Sequence, residues 1–274
     1  MEKYDLYEAI SAALAMLDAD EAPECRAYLE NIITDDNRPG LTEEDAFAIA
    51  NELLKCDKPE PLPKVIRDLI EELFEAAFEA GNGDAMNDLG AQYYDGDRGF
   101  DQDYTKAVEC YKLAASKGSR QAQENLGYCY YYGRNMPVDY EKAFHCFALG
   151  AFDGHLISLY KIGDMYRSGH YVEKNPVEAF HIYERCLETM TDEAAPRIAG
   201  PVFLRLGFAF LRGEGTNEDA KKALVCFQRA ETYLYDMVEG GDAMYKKSLQ
   251  SAIDGQAKAR AKLAAALAGD APSD

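Results

Sequence analysis

One stretch of this chain says twice, nearly word for word, how it must fold. Between Ala85 and Gly118 stand Ala85, Leu89, Gly90, Tyr93, Gly96, Asp103, Lys106, Ala107, Tyr111, Ala114, Ala115 and Gly118. The skeleton returns at Ala122, Leu126, Gly127, Tyr130, Gly133, Asp139, Lys142, Ala143, Phe147, Ala151 and Gly154, displaced by 37 residues before its loop and 36 after it. Third and fourth copies run through Ser158, Ile162, Gly163, Tyr166, Gly169, Asn175, Ala179 and Tyr183, and through Val202, Leu206, Gly207, Phe210, Gly213, Asp219, Lys222, Ala223 and Phe227. A period of this length is the signature of a solenoid, in which each unit buries its apolar face only by stacking on its neighbours.

Taken at 100° per residue, each unit reads as a helix pair. In the first helix Ala85, Leu89, Tyr93 and Gly96 share a stripe, while Asn87, Ala91 and Tyr94 fall on the far side. Gly90 lies inside that helix, where glycine costs about 1 kcal/mol against alanine, so its return at Gly127, Gly163 and Gly207 predicts a close approach of the partner helix. Gly96 and its equivalents suit a left-handed residue ending the first helix, and Asp103, Asp139 and Asp219 suit the N-cap of the second.

The pattern A-x-x-x-L-G-x-x-Y-x-x-G, a short loop, then D-x-x-K-A-x-x-x-Y-x-x-A-A-x-x-G resembles the Sel1-like repeat, a relative of the tetratricopeptide repeat. The resemblance implies an all-α fold, a right-handed α-solenoid of antiparallel helix pairs with helical N- and C-terminal caps. The expected division is an acidic cap over 1–60, a repeat array over 61–230 and capping helices with a frayed tail over 231–274. The copies lie near 85–118, 122–154, 158–190 and 202–230, preceded by a degenerate copy within 41–81, because Phe74 to Gly81 keeps the spacing of Tyr111 to Gly118. The family's usual tryptophan before the second-helix aromatic is absent, and Cys110, Cys146 and Cys226 stand there instead. About eight extra residues around 191–197 lengthen the junction between copies three and four, where the stack is expected to bend or widen.

Outside the array, Leu6, Ile10, Leu14 and Leu17 share one helical face, as do Cys25, Leu29, Ile32 and Ile33. Asp35 to Gly40 reads as a turn, Thr42 as the cap of a helix reaching Cys56, and Pro59, Pro61 and Pro63 as a stiff connector to a helix over 64–80. After Phe227 a helical tail is broken by Gly240 and Gly241, then resumes with Leu249, Ala252, Ile253, Gln256, Arg260, Leu263 and Leu267 on one stripe. A terminal cap, a dimer seam and a partner-binding helix all fit such a tail. Copy four favours the cap, because its outward positions are Leu204, Phe208 and Leu211, three large apolar side chains that water-facing surface rarely leaves uncovered.

The 274 residues carry net charge −20, and residues 1–80 hold 21 acidic against 7 basic side chains. Such a field disfavours nucleic acid and anionic membranes and suits solubility or a basic partner. With no basic-apolar leader and no apolar run long enough to span a bilayer, the cytoplasm is the expected compartment. Seven cysteines, odd in number and scattered, read as reduced thiols. In secreted cysteine-rich members of the resembling family each repeat carries a disulfide between its helices. Cys129 with Cys146 is the candidate pair here, and spacing does not decide it.

For chemistry the chain offers little. His145 and His181 fall on the outer face of their helices, and no His-x-x-x-His, Cys-x-x-Cys, G-x-S-x-G, G-x-G-x-x-G or phosphate-loop spacing occurs, so neither metal nor cofactor is expected. In such repeats the first helices line the concave side. The candidate binding residues of that groove are Asn87, Tyr94, Glu124, Tyr128, Tyr131, Tyr160, Asp164 and Arg167. Tyrosine brings large contact area with a polar tip, though tyrosines that merely stack in the core would give the same pattern. The resemblance therefore implies a non-enzymatic scaffold, monomeric or a homodimer, that holds a protein or peptide. A hydrolase, β-lactamase-like by family association, and a small-molecule binding protein are the alternatives.

Overall fold

A computed structural model describes residues 5–18, 20–34, 41–58, 60–191 and 195–269. Among them the chain is all-helical, with thirteen α-helices, one short 3-10 turn and no strand, and consecutive helix pairs in contact. It divides into two compact units, residues 1–139 and 140–274. The turn expected over 35–40, Pro59 and the tail beyond 269 lie outside the described residues.

The first unit contains α1 (Leu6–Met16), α2 (Pro23–Thr34), α3 (Glu43–Leu53), α4 (Lys64–Glu79), α5 (Gly83–Asp95), α6 (Tyr104–Ser116) and α7 (Arg120–Tyr132). Neighbours in sequence lie side by side, α3 on α4, α4 on α5, α5 on α6 and α6 on α7, with α1 resting on both α2 and α4. Thr42 caps α3, its N–H donating to the Asp45 carboxylate at 2.8 Å. The cap of α2 comes from far along the chain: the Asp57 carboxylate accepts from the N–H groups of Glu24 and Cys25 at 3.1 and 3.0 Å. Phe47 is half-buried against Phe74, ring centroids 6.1 Å apart.

From α5 onward six consecutive helices are 13 residues long, the expected unit. Ala85, Leu89 and Tyr93 of α5, and Ala107, Tyr111 and Ala114 of α6, are buried as the stripe requires. Gly96 ends α5 at φ 67°, and Asp103 accepts from Thr105 N–H and Lys106 N–H at 2.9 and 3.1 Å to start α6. A Cβ built on Gly90 would stand 2.7 Å from Cε1 of Tyr111, so the glycine is there to let a ring rest on helix backbone.

A regularity invisible in the sequence sits in the loops. Two residues after each left-handed glycine comes a second left-handed residue, Arg98, Asn135, Tyr171 and Gly215, at φ 55°, 52°, 65° and 77°. Each reaches back to the preceding repeat. Arg98 donates to the carbonyls of Cys56 and Glu60, Asn135 to Thr105 Oγ1, Tyr171 Oη to Glu141 Oε1 at 3.3 Å, and Gly215 lies against the Pro176 carbonyl, where no Cβ would fit.

The second unit holds α8 (Tyr140–Phe152), α9 (Leu156–Ser168), α10 (Pro176–Glu188), α11 (Ala195–Arg212), α12 (Ala220–Glu239) and α13 (Lys246–Gly269). The ring-on-glycine contact recurs with Gly163 under Tyr183 and Gly207 under Phe227, each 2.7 Å by the same measure. Within the described part of the lengthened junction the extra residues form helix: α11 has 18 residues and α12 has 20, and their added turns pack together, Gly200 against Leu234 and Phe203 stacked on Tyr233 at 6.2 Å. After Gly240 and Gly241, α13 lies on both α12 and α11. Leu204 and Leu211 are buried and Phe208 is half-buried. Lys262 Nζ donates to the Leu211 carbonyl at 2.8 Å and pairs with Glu218 at 2.7 Å.

The contact stripe of α13 differs from the expected one. Ile253, Arg260 and Leu267 face solvent, whereas Ala252, Gly255, Gln256 and Ala259 are buried. Small residues win because α13 meets Phe227 at close range, and a Cβ on Gly255 would come within 2.6 Å of that ring. All seven cysteines are thiols and six are buried. Burial pushes Cys110 and Cys186 up to about 12 and Cys146 and Cys226 to about 11, as expected of apolar fillers.

Gly90→Ala should destabilise the protein by about 1–2 kcal/mol in urea melts, because overpacking at Tyr111 outweighs the gain in helix propensity of about 1 kcal/mol. An equal or higher midpoint would show that the ring yields freely. Truncation after Gly240 should lower Tm by several degrees and promote self-association in sedimentation velocity, since it uncovers Phe227 and the Leu204–Leu211 face. A monomeric truncated chain with an unchanged Tm would show α13 to be dispensable.

Candidate interaction surface

The eight residues expected on the first-helix face divide by burial. Tyr94, Tyr128 and Tyr131 are half-buried and Arg167, in the last turn of α9, is exposed. Asn87, Glu124, Tyr160 and Asp164 are buried, which corrects the expectation that this face is open to solvent at every copy. The reason is that first helices of successive repeats lie close enough to bond to one another. Asn51 Nδ2 of α3 donates to Asp88 Oδ2 of α5 at 3.4 Å, and Asn125 Nδ2 of α7 donates to Asn87 Oδ1 at 2.9 Å. Gln121 Nε2 covers the Glu124 carboxylate, 2% exposed, at 3.3 Å.

In the second unit the same diagonal becomes charged. Arg205 of α11 lies 4.7 Å from the centre of the Tyr160 ring and grips Asp164 of α9, with Nε and Nη2 each 2.5 Å from a carboxylate oxygen. The Tyr183 hydroxyl donates to Asp164 Oδ1 at 2.7 Å. Burial alone would raise the Asp164 carboxyl. The charge and hydrogen bonds of Arg205, with Lys161 and Tyr183, overcome it and hold the group below the usual carboxylate range. Asp164 therefore orders the contact of three helices and is not an accessible acceptor for a ligand.

The accessible part gathers in the first unit around Arg134, just past the C-terminus of α7. Its Nε donates to the Tyr94 hydroxyl at 3.1 Å, and its guanidinium faces the rings of Tyr94, Tyr104 and Tyr132 at 5.7, 5.0 and 5.6 Å. Tyr128 stacks on Tyr132 at 6.2 Å, and Tyr131 meets Tyr132 edge-on at 5.0 Å. Burial pushes Tyr94 above the ordinary tyrosine range, with Arg134 pulling the other way. Five tyrosines on two repeats thus form one platform held by one cation. Sequence reasoning found three of them and missed Tyr104 at the start of α6, Tyr132 at the end of α7 and Arg134 in the loop after it. His145 and His181 are exposed, as their helical angle requires. Among the described residues no group of three or more His, Cys, Asp or Glu side chains could hold a metal ion, and no helix is long and apolar enough to cross a membrane.

Helix pairs closed by a ring on a glycine at Gly90, Gly163 and Gly207, with left-handed loop residues that reach back to the preceding pair, define a helical-repeat protein. The chain is a Sel1-repeat protein: the Sel1 repeat family matches it at residues 83–119, 120–155, 156–185 and 204–231. Its fold is similar to that of a Sel1 repeat protein from Oxalobacter formigenes, with a TM-score of 0.57 at 22% identity over 83% of this chain and 82% of that one. It is similar also to c5321, a protective antigen of uropathogenic Escherichia coli with an SLR fold, with a TM-score of 0.50 at 21% identity over 81% of this chain and 54% of that one. Among curated proteins it is 39% identical over 70 residues to the Arabidopsis thaliana ERAD-associated E3 ubiquitin-protein ligase component HRD3B, and 40% over 65 residues to HRD3A. Those stretches are 26% and 24% of this chain, which spans about a tenth of either relative's length.

Asp164→Ala should cost roughly 3 kcal/mol at pH 7, the low end for breaking a buried pair because Arg205 keeps some solvent contact. The folded pKa of Asp164 is depressed, so its contribution is complete above the unfolded value of about 4 and fades as pH falls through the folded value. Urea midpoints of wild type and variant should accordingly converge at acid pH; a constant gap would place the interaction elsewhere.

Proposed function

We propose that this chain is a non-enzymatic interaction scaffold that holds a protein or peptide on the tyrosine platform of its first two full repeats. The observation that carries this reading is the cluster of half-buried Tyr94, Tyr104, Tyr128 and Tyr131 with exposed Tyr132 around Arg134. Rings fixed by their neighbours lose little entropy on binding, and their hydroxyls give polar specificity at the edge of an apolar contact. Membership of the Sel1-repeat class supports it, and so do the two curated relatives, each a component of a larger ligase assembly. The net charge of −20 favours a partner with basic residues flanking the contact. A cytoplasmic setting is the companion proposal, which rests on seven cysteines that are odd in number and scattered along the sequence.

Affinity purification from the native cell, with the double variant Tyr128→Ala and Tyr131→Ala beside wild type, tests the platform. At least one wild-type partner should be lost from the variant while Tm falls by no more than a few degrees. A partner set that survives the double substitution intact would remove the platform from consideration.

A further inference from the structure

In α8 and α10 the side chain one position after the small alanine packs on the aromatic of the next repeat's first helix. Phe144 meets Tyr166 at 6.4 Å and Phe180 meets Phe210 at 5.3 Å. Val108 occupies the same column in α6. In α4, aligned through Phe74 and Gly81 on Tyr111 and Gly118, the column holds Glu71, and the aromatic it faces is Tyr93. One turn earlier Arg67 stands where Tyr104 and Tyr140 stand in the next copies.

Glu71 accepts from the Tyr93 hydroxyl, and beside the pair there is an open cavity of about 560 Å³, lined among others by Arg67, Glu71, Tyr93, Phe100, Asp101 and Lys106. Some of its charge is already committed: Lys64 pairs with Asp68 at 2.5 Å, and Asp103 caps α6. Lys106 Nζ donates only to a neutral group, the Tyr93 hydroxyl, at 3.2 Å. Arg67 donates to the Gly99 carbonyl, and its Nε is buried without a partner. Neither cation forms an ion pair among the described residues, in a chain with twenty more acidic than basic side chains. A cavity in unit two at the equivalent loop, about 600 Å³ and lined by Tyr166, Val172, Glu173, Lys174 and Asn175, has one basic residue, and Phe144 fills the junction beside it.

We propose that the cavity between α4 and the α5–α6 loop binds a carboxylate carried by an amino-acid-derived ligand, either an acidic side chain or a chain terminus. Arg67 and Lys106 bind the carboxylate, the Tyr93 and Phe100 rings flank its carbon chain, and Glu71 and Asp101 accept from the ligand's N–H groups. The neighbouring acids disfavour a phosphate dianion and suit a single negative charge with a donor beside it. The site does not rest on the tyrosine platform, and the probes below are small molecules that need no protein partner, so the two readings fail separately.

The test is a ¹H–¹⁵N titration of the full chain, following the amides of Gly99 and Phe100 and the Arg67 Nε–H. The probes are the N-acetyl amide of glutamate (side-chain carboxylate only), N-acetylalanine (terminal carboxylate only) and N-acetylalanine amide (no carboxylate). At least one carboxylate probe should give saturable shifts at millimolar concentration, and which one does so assigns the source. Lys106→Met should weaken that binding at least tenfold. Glu71→Phe, which restores the repeat's own rule, should abolish it while Tm holds or rises, so that loss of binding cannot be loss of fold. No saturable shift with either carboxylate, equal shifts with the neutral amide, or an unchanged Kd in the two variants would overturn the proposal.

Discussion

An aromatic ring resting on bare helix backbone sets the spacing of every other element. Tyr111 on Gly90, Tyr183 on Gly163 and Phe227 on Gly207 bring the two helices of a repeat closer than any Cβ would allow. The glycine costs the helix about 1 kcal/mol, and burial of the ring returns roughly 1.5 to 3 kcal/mol before ordering is counted. Because that spacing is fixed, the neighbours of the ring must be small, which is why Ala107 and Ala114 flank Tyr111 without exposure. Phe227 is held on two sides, by Gly207 of its own repeat and by Gly255 of α13, so the C-terminal helix joins the structure by the device that builds the repeats.

Between repeats, polar bonds add to ring contacts such as Phe144 on Tyr166, and they run through positions that sequence alone places in solvent. Asn51 to Asp88, Asn87 to Asn125 and Tyr160 to Arg205 are one diagonal, from a residue of one first helix to the residue one place further along in the next. Apolar packing along a stack tolerates small slips in register, whereas a buried hydrogen bond or ion pair does not, since a slip leaves its members unsatisfied. The left-handed loop residues add a second fixed point at the start of the second helices.

Repeat period, helix pairs, caps at Asp103 and Asp219 and the glycine contacts were legible because each follows from local chemistry repeated several times. The exposure of Asn87, Glu124, Tyr160 and Asp164 was not, because a helical angle says which way a side chain points and nothing about what lies there. A signal did exist: the column Asp88, Asn125, Lys161, Arg205 is polar in every full copy, beside a column that starts with Asn87 and Glu124, and such pairing of columns argues for bonds across repeats. For α13, the larger residues Ile253 and Leu267 drew the stripe to the wrong side, since apolar size marks a face only where the partner stands off at ordinary distance. Left-handed Arg98, Asn135 and Tyr171 have no sequence signature at all beyond their fixed distance from a glycine.

Once columns are known, departures from them become the informative residues. In a stack stabilised by repetition, a carboxylate in a column of Val108, Phe144 and Phe180 replaces a ring contact by a polar one and puts charge into the wall of the cavity beside it. Copy four departs too, with Leu204 where Asn87 and Glu124 stand, but α13 covers that face, so the departure completes the fold and leaves nothing unsatisfied. At the α4 junction Glu71 keeps a hydrogen bond with the Tyr93 hydroxyl, whereas the Nε of Arg67 is buried without a partner and the cavity stays open. A local rule broken with a structural remedy belongs to stability, and one broken without a remedy points to a ligand. By that criterion the junction between α4 and the α5–α6 loop, where a buried guanidinium nitrogen lacks a partner beside an open charged cavity, is the place in the first unit that points to a ligand.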